Sequence, residues 1–350
     1  MSCQRPVGNH QEQVVVADQR PIEYKQENRM ARVLVTGGAG FIGSHLVTSL
    51  VQRGDQVVVL DNLSTGFKHN LAHVWEDIEF VHGDVADADT VGRVMKGVEL
   101  VFHQAALASV PLSIQRPLDT HHACVTGTLN LLHHAAQAGV RRFVYAASSS
   151  AYGDQPFSAK RESDLPQTLS PYAAAKLAGE YYCQAFFHSF GLETVGLRYF
   201  NVFGPRQDPA SPYSAVIPLF VTAILSGKPP TIFGDGQQSR DFIFVDNVVH
   251  GNLLAASVPE ASGQVFNMGQ GKQTTLLQLL DILGELLGQR VEPRFEAARP
   301  GDVRESMADI SQARRVLGFE PLVDLRRGLE ATIDYYRQIA EVMSHSAAGQ

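Results

Sequence analysis

Three cysteines in 350 residues, Cys3, Cys124 and Cys183, are too few and too scattered for a disulfide framework, and an odd count fits a reducing compartment. Long hydrophobic runs are also missing. The longest apolar stretch, Ala215 to Leu225, holds Pro218 and Thr222 and falls short of the roughly 20 residues a bilayer requires. The formal charge is −7 without a long basic run, which argues against nucleic acid as the partner. Nothing before Met30 resembles a signal peptide, because the Val14-Val15-Val16 run is brief and flanked by charges, so a cytoplasmic location is expected. Metal ligands are not expected either: His121, His122 and Cys124 are close in sequence, but helical neighbours point in different directions and no Cys-x-x-Cys partner exists. No internal repeat or low-complexity tract appears.

What is present reads as an α/β chain, with a doubly wound parallel sheet and a smaller lobe. Residues 1–29 are expected to form a flexible arm, and Met30 would serve as an alternative start. Residues 30–200 form the nucleotide domain in this reading, with segments near 240–265 rejoining it. Residues 201–340 make the second lobe and 341–350 a tail.

Ala31 to Thr36 reads as a buried strand, and Gly37-Gly38-Ala39-Gly40-Phe41-Ile42-Gly43 follows directly, with helical spacing from Ser44 to Arg53. Strand, glycine turn and helix make a phosphate cradle, because backbone must approach a pyrophosphate at a helix N-terminus without a Cβ in the way. Gln56 to Leu60 ends in Asp61, about 20 residues past the glycines, where a ribose 2′-hydroxyl would lie. An acid there repels a 2′-phosphate and favours NAD. Glu79 to Asp84 is a third strand whose terminal acid would meet the adenine amine, and Leu100 to Ala106 is a fourth. Arg142 to Ala146 is a fifth, with Ser148 at its C-terminal end, the edge where open parallel sheets bind ligands.

Ser170 reads as an N-cap, Pro171 as the first helical residue, and Tyr172 and Lys176 then share one helix face. A phenol titrates near pH 10, so bringing it to about 7 takes roughly 4 kcal/mol. An ammonium one turn away is expected to supply part of that, and a second cation more. Further along this helix, Tyr181, Tyr182, Phe186 and Phe187 put apolar surface on more than one face, which predicts a homodimer through it.

From about Ala31 to Glu320 these motifs resemble the extended short-chain dehydrogenase/reductase family, and within it the nucleotide-sugar 4-epimerases. The resemblance is carried by the glycine turn, His103-Gln104-Ala105-Ala106, Ser148 to Gly153, Ser170 to Lys176, Leu197 to Pro205, Ser239-Arg240-Asp241-Phe242 and Arg299 to Val303. It implies Ser148, Tyr172 and Lys176 as catalytic residues. Cofactor contacts are expected at Gly37, Gly40, Phe41, Ile42, Gly43, Asp61, Asn62, Gly66, Asp84, Val85, Gln104, Ala105, Ala106, Tyr172, Lys176 and Tyr199. It also implies a UDP-sugar substrate, with Asn201, Arg240 and Arg299 on the diphosphate, Asp302 on the uridine ribose, Phe233 stacked on uracil, and Ser149 and Ser150 beside the sugar. The resemblance gives sugar 4,6-dehydratases Thr-Asp-Glu at this place, and nucleotide-sugar decarboxylases also carry a Glu, because elimination or proton handling at a second carbon needs an additional acid/base. Ser148-Ser149-Ser150 has none, so reversible oxidation at C4 is the expected chemistry. Where relatives restricted to plain hexoses have a bulky Tyr, this chain has Ser306, which leaves room for an acetamido group. Gln207 and Ser109 are further candidates to bind an acyl group or C6 substituent.

The expected substrate is therefore a UDP-N-acetylhexosamine or its uronic acid. UDP-glucose or UDP-glucuronate is the alternative, and a dinucleotide-binding sensor without catalysis the reading from another class. Many relatives carry Asn where Cys124 stands. Cys cannot make the same hydrogen bonds, so a change in local geometry, in cofactor retention or in both is expected.

Overall fold

The computed structural model describes residues 30–155, 159–209, 215–298 and 303–348. The arm expected at 1–29, along with Arg299 and Asp302, lies outside the described residues.

Seven parallel strands form the central sheet: β1 (Arg32–Thr36), β2 (Gln56–Asp61), β3 (Ile78–His82), β4 (Leu100–His103), β5 (Arg142–Ser148), β6 (Glu193–Tyr199) and β7 (Gln264–Met268). Their spatial order is β7-β6-β5-β4-β1-β2-β3. The order reverses between β1 and β4, which opens a crevice at the C-terminal ends of these strands. Val33 and Val35 pack with one core cluster and Leu34 with the other, so β1 is buried on both faces.

Helices α1 (Phe41–Arg53), α2 (Gly127–Ala138) and α3 (Pro171–Phe190) belong to the first part of the chain. Then come α4 (Val216–Leu225), α5 (Val245–Ser257), α6 (Leu276–Leu287) and α7 (Leu325–Ala348). Leu46 and Leu50 of α1 and Val248 and Leu253 of α5 cover one face of the sheet. Leu131 and Leu132 of α2 and Cys183 and Phe186 of α3 cover the other. Both α5 and β7 follow the first segments of the second lobe, so the chain leaves the sheet after Tyr199 and returns to it at 245–268. The second lobe has its own core, built from Phe220 of α4, Leu279 and Leu283 of α6, and Leu329 and Ile333 of α7. α7 runs on to Ala348, into the tail expected at 341–350. No glycine or proline follows Gly328 before that point to stop the helix.

Asp241 ties the lobe together. Fully buried, it accepts hydrogen bonds from the N–H groups of Gln270 (2.7 Å), Gly271 (2.9 Å) and Ala308 (3.0 Å). Burial pushes its carboxyl up to about 6 against the pull of these donors.

Candidate active site

Gly37 takes φ of +68°, and a Cβ there would lie 2.6 Å from the Ala105 nitrogen. A Cβ on Gly43 would come within 2.1 Å of the Gly37 carbonyl oxygen, so the turn and α1 touch only because both residues lack one. At Gly40 a Cβ would meet that oxygen alone, at 3.2 Å, which leaves the surrounding space open. Phe41 and Ile42 open α1, whose N-terminus has no side-chain cap and no acid in its first turn. Its first N–H groups are thus available to an anion. Gly66 brings the following loop against Ala39, where a Cβ would sit 2.9 Å from the carbonyl carbon. An open cradle at an uncapped helix start fits a dinucleotide diphosphate.

Asp61 at the end of β2 stands beside that turn. Its carboxylate accepts from the N–H groups of Ala39 (2.9 Å) and Leu63 (2.8 Å), while burial pushes its pKa up. The Asp84 carboxylate, expected to meet adenine, accepts from Asn62 Nδ2 (2.9 Å) and the Ala86 N–H (2.8 Å), which fixes its orientation. Val85 is buried next to it. Gln104, followed by half-buried Ala105 and Ala106, forms a hydrogen-bonded group with Tyr199 and Asn252. Tyr199 is buried within this group.

Ser170 caps α3 by accepting from the Ala173 N–H at 3.2 Å, and Pro171 opens the helix. This sets Tyr172 near Ser148, whose side chain acts to lower the pKa of the phenol. The Ser148 Oγ accepts from the Ser150 hydroxyl (2.8 Å) and N–H (3.2 Å), in the short helix Ser149–Tyr152. With its acceptor sites occupied, the Ser148 hydroxyl has its proton left to donate.

The Tyr172 phenol does not stand below its ordinary value, as the reading of Lys176 implied. Burial pushes it well up, with nearby Cys124 adding to the rise and Ser148 opposing it. The Lys176 ammonium donates instead to the Ala146 carbonyl at 2.8 Å and sits 5.0 Å from the Tyr145 ring centroid, while burial pushes its own pKa down. The positive charge is directed at a carbonyl and an aromatic face.

Cys124 lies in a π-turn, His122–Thr126, between the helix Pro117–His121 and α2. The Thr128 hydroxyl donates to the Cys124 carbonyl at 2.6 Å and lies 2.9 Å from His103 Nε2, whose Nδ1 is 2.7 Å from Thr36 Oγ1. This network holds the turn at its backbone.

At the junction with the second lobe is a cavity of about 220 Å³, lined by Asn201, Phe233, Gln238, Arg240, Phe220 and Leu276 among others. Three expected substrate residues, Asn201, Phe233 and Arg240, thus come together. Ser306 is half-buried alongside, its N–H donating to the Ser239 carbonyl at 3.2 Å. Gln207 Nε2 donates to the Val202 carbonyl at 3.3 Å, while its Oε1 is buried without a partner among the described residues. Ser109 caps the helix Val110–Gln115 by accepting from the Leu112 N–H at 3.1 Å, a structural task that its sequence context did not reveal. Gln238 was not anticipated. The available signal was strand alternation, which sets residues two apart on one face, Gln238 with Arg240. Among the described residues, no helix is long and apolar enough to cross a membrane and no three His, Cys, Asp or Glu side chains are grouped to hold a metal.

Residues 33–269 match the NAD dependent epimerase/dehydratase family. A UDP-glucose 4-epimerase of Mycolicibacterium smegmatis is 40% identical over 310 residues, covering 87% of this chain and 98% of that protein. Among solved structures, the UDP-N-acetylglucosamine 4-epimerase from Methanobrevibacter ruminantium in complex with UDP-N-acetylmuramic acid superimposes with a TM-score of 0.85 at 39% identity, over 89% of this chain and 99% of that one. The Thermus thermophilus UDP-glucose 4-epimerase complex with NAD gives a TM-score of 0.80 at 37% identity, over 87% of this chain and 99% of that one. The chain with this glycine cradle and acid-ended second strand thus belongs to the NAD dependent epimerase/dehydratase family and is an enzyme with NAD as its cofactor.

Proposed function

We propose that the protein is a UDP-sugar 4-epimerase acting by transient oxidation at C4. The observation that carries this reading is Ser148 at the sheet edge, close enough to Tyr172 to lower its pKa, with Ser149 and Ser150 in place of the carboxylate that an elimination would use. When bound, NAD supplies a hydride acceptor at C4 and returns the same hydride to the opposite face of the sugar. Gly37, Gly40, Gly43 and the start of α1 hold its diphosphate, Asp61 its adenosine ribose, and Lys176 its other ribose. Tyr172, ionised, takes the C4 hydroxyl proton, and Ser148 steadies the same oxygen and relays the proton. Asn201 and Arg240 grip the UDP diphosphate, with Arg299 joining them, Asp302 on the ribose and Phe233 on the base.

The preferred sugar in this reading is an N-acetylated hexosamine or its uronic acid, supported by the small Ser306, whose N–H bonds the carbonyl of Ser239, the neighbour of cavity-lining Arg240. We further propose a cytoplasmic homodimer through α3, on which Tyr181 is 56% exposed, next to Leu118 at 81% on the adjoining helix.

The test is incubation of purified protein with UDP-N-acetylglucosamine, UDP-glucose and their uronic acids separately, without added cofactor, with C4 configuration read by proton NMR. Conversion of the N-acetylated sugar in preference to glucose is expected. Conversion of none, with NAD present, overturns the epimerase reading.

A further inference from the structure

Arg198 of β6 and Glu180 of α3 form an ion pair inside the protein, 4% and 3% exposed. The Arg198 Nε donates to Glu180 Oε1 at 3.0 Å and its Nη2 to Oε2 at 2.7 Å, so both carboxylate oxygens are taken. The guanidinium also lies 4.7 Å from the ring centroid of Tyr152, in the short helix that follows Ser148. In the sheet, Arg198 stands in register with Ala147 of β5. A buried pair of this kind adds little to stability over apolar side chains of the same volume, so its effect is to be found in the charges around it.

The charge next to it on α3 is Lys176, one helical turn before Glu180 and 3% exposed. Lysine and glutamate four residues apart are neighbours on a helix surface, and away from water their attraction is strong. The Lys176 ammonium nevertheless donates to the Ala146 carbonyl at 2.8 Å, across to β5 and two residues before Ser148. The other ionisable groups that act on Lys176 are the Cys124 and Cys183 thiols, so Glu180 is the carboxylate it would find. We propose that Arg198 is a positioning residue for Lys176: by occupying both oxygens of Glu180 it keeps the ammonium on the Ala146 carbonyl, at the cofactor crevice, instead of paired along its own helix. This rests on the reading of Lys176 as the residue that holds the second ribose of NAD, and adds the group that keeps it there.

NAD carried by purified protein, measured by cofactor release on denaturation, tests it. Arg198→Met leaves the Glu180 carboxylate free for Lys176 and is expected to carry at least about tenfold less NAD than wild type. Arg198→Met combined with Glu180→Gln removes both charges, and its NAD content is expected to return to within about twofold of wild type. A merely structural part for the pair predicts the opposite order, because the double variant has lost both partners. A double variant that carries no more NAD than Arg198→Met therefore overturns the proposal, and so does Arg198→Met with wild-type NAD. Should a methionine variant fail to fold, Arg198→Gln alone and with Glu180→Gln takes the place of the two, with the same expected results and the same overturning ones. Lys176→Met that carries wild-type NAD removes the reading of Lys176 itself, and the proposal with it.

Discussion

His103 Nε2 is the donor in its 2.9 Å contact with Thr128, because the Thr128 hydroxyl already gives its proton to the Cys124 carbonyl. The buried imidazole is therefore neutral with its proton on Nε2, and burial pushes its pKa well below the ordinary value. Below pH about 6.5 the unfolded chain takes up a proton that the folded chain refuses, so stability falls as the pH drops. Urea unfolding from pH 7.5 to 5.5 should show a stability gap between wild type and His103→Gln that narrows below 6.5, by up to about 1.4 kcal/mol per pH unit.

In the proposed mechanism Tyr172 loses its proton to act, and Ser148 is the influence that lowers its pKa. Removing the Ser148 hydroxyl raises the phenol further. The rising limb of kcat/KM in Ser148→Ala should move about one to two units to higher pH, with Ser148→Thr keeping the wild-type limb. Tyr172→Phe should lose about 10²–10⁴-fold in kcat.

Gly43→Ala places a Cβ 2.1 Å from the Gly37 carbonyl oxygen and must push the turn away from α1. Purified variant should carry at least about tenfold less NAD than wild type, measured by cofactor release on denaturation, since the cradle depends on that contact.

Asp241→Asn replaces an oxygen that accepts backbone N–H groups with an amide that donates. The urea midpoint should fall by the equivalent of about 1.5–3 kcal/mol. The wild-type carboxyl titrates at about 6, above its unfolded value, so the proton it holds in the folded state stabilises fully below pH about 4 and no longer above about 6. Unfolding of the variant should lack this component.

Groups close in sequence were the legible ones. The glycine turn, the Ser170 cap and the Tyr172/Lys176 spacing are set by local backbone rules, and Ser148 follows from the polarity of a parallel strand. Less legible were relations that span the chain. Nothing in Ser239 to Phe242 announces that Asp241 will be met by backbone from 270 and 308. Ser109 carries the same hydroxyl whether it caps a helix or binds a sugar, and only the Leu112 N–H decides between them. The direction of the Lys176 ammonium likewise depends on the Ala146 carbonyl, 30 residues away.

The last strand of the nucleotide sheet, β7, comes from residues 264–268, after the first segments of the sugar lobe. During synthesis on the ribosome, β6 therefore emerges with one whole edge of amides and carbonyls unpaired until some 65 further residues have followed. The nascent nucleotide half is a sticky intermediate through that interval. A chain cut anywhere between Tyr199 and Gln264 would keep every catalytic side chain and still be prone to aggregate through β6.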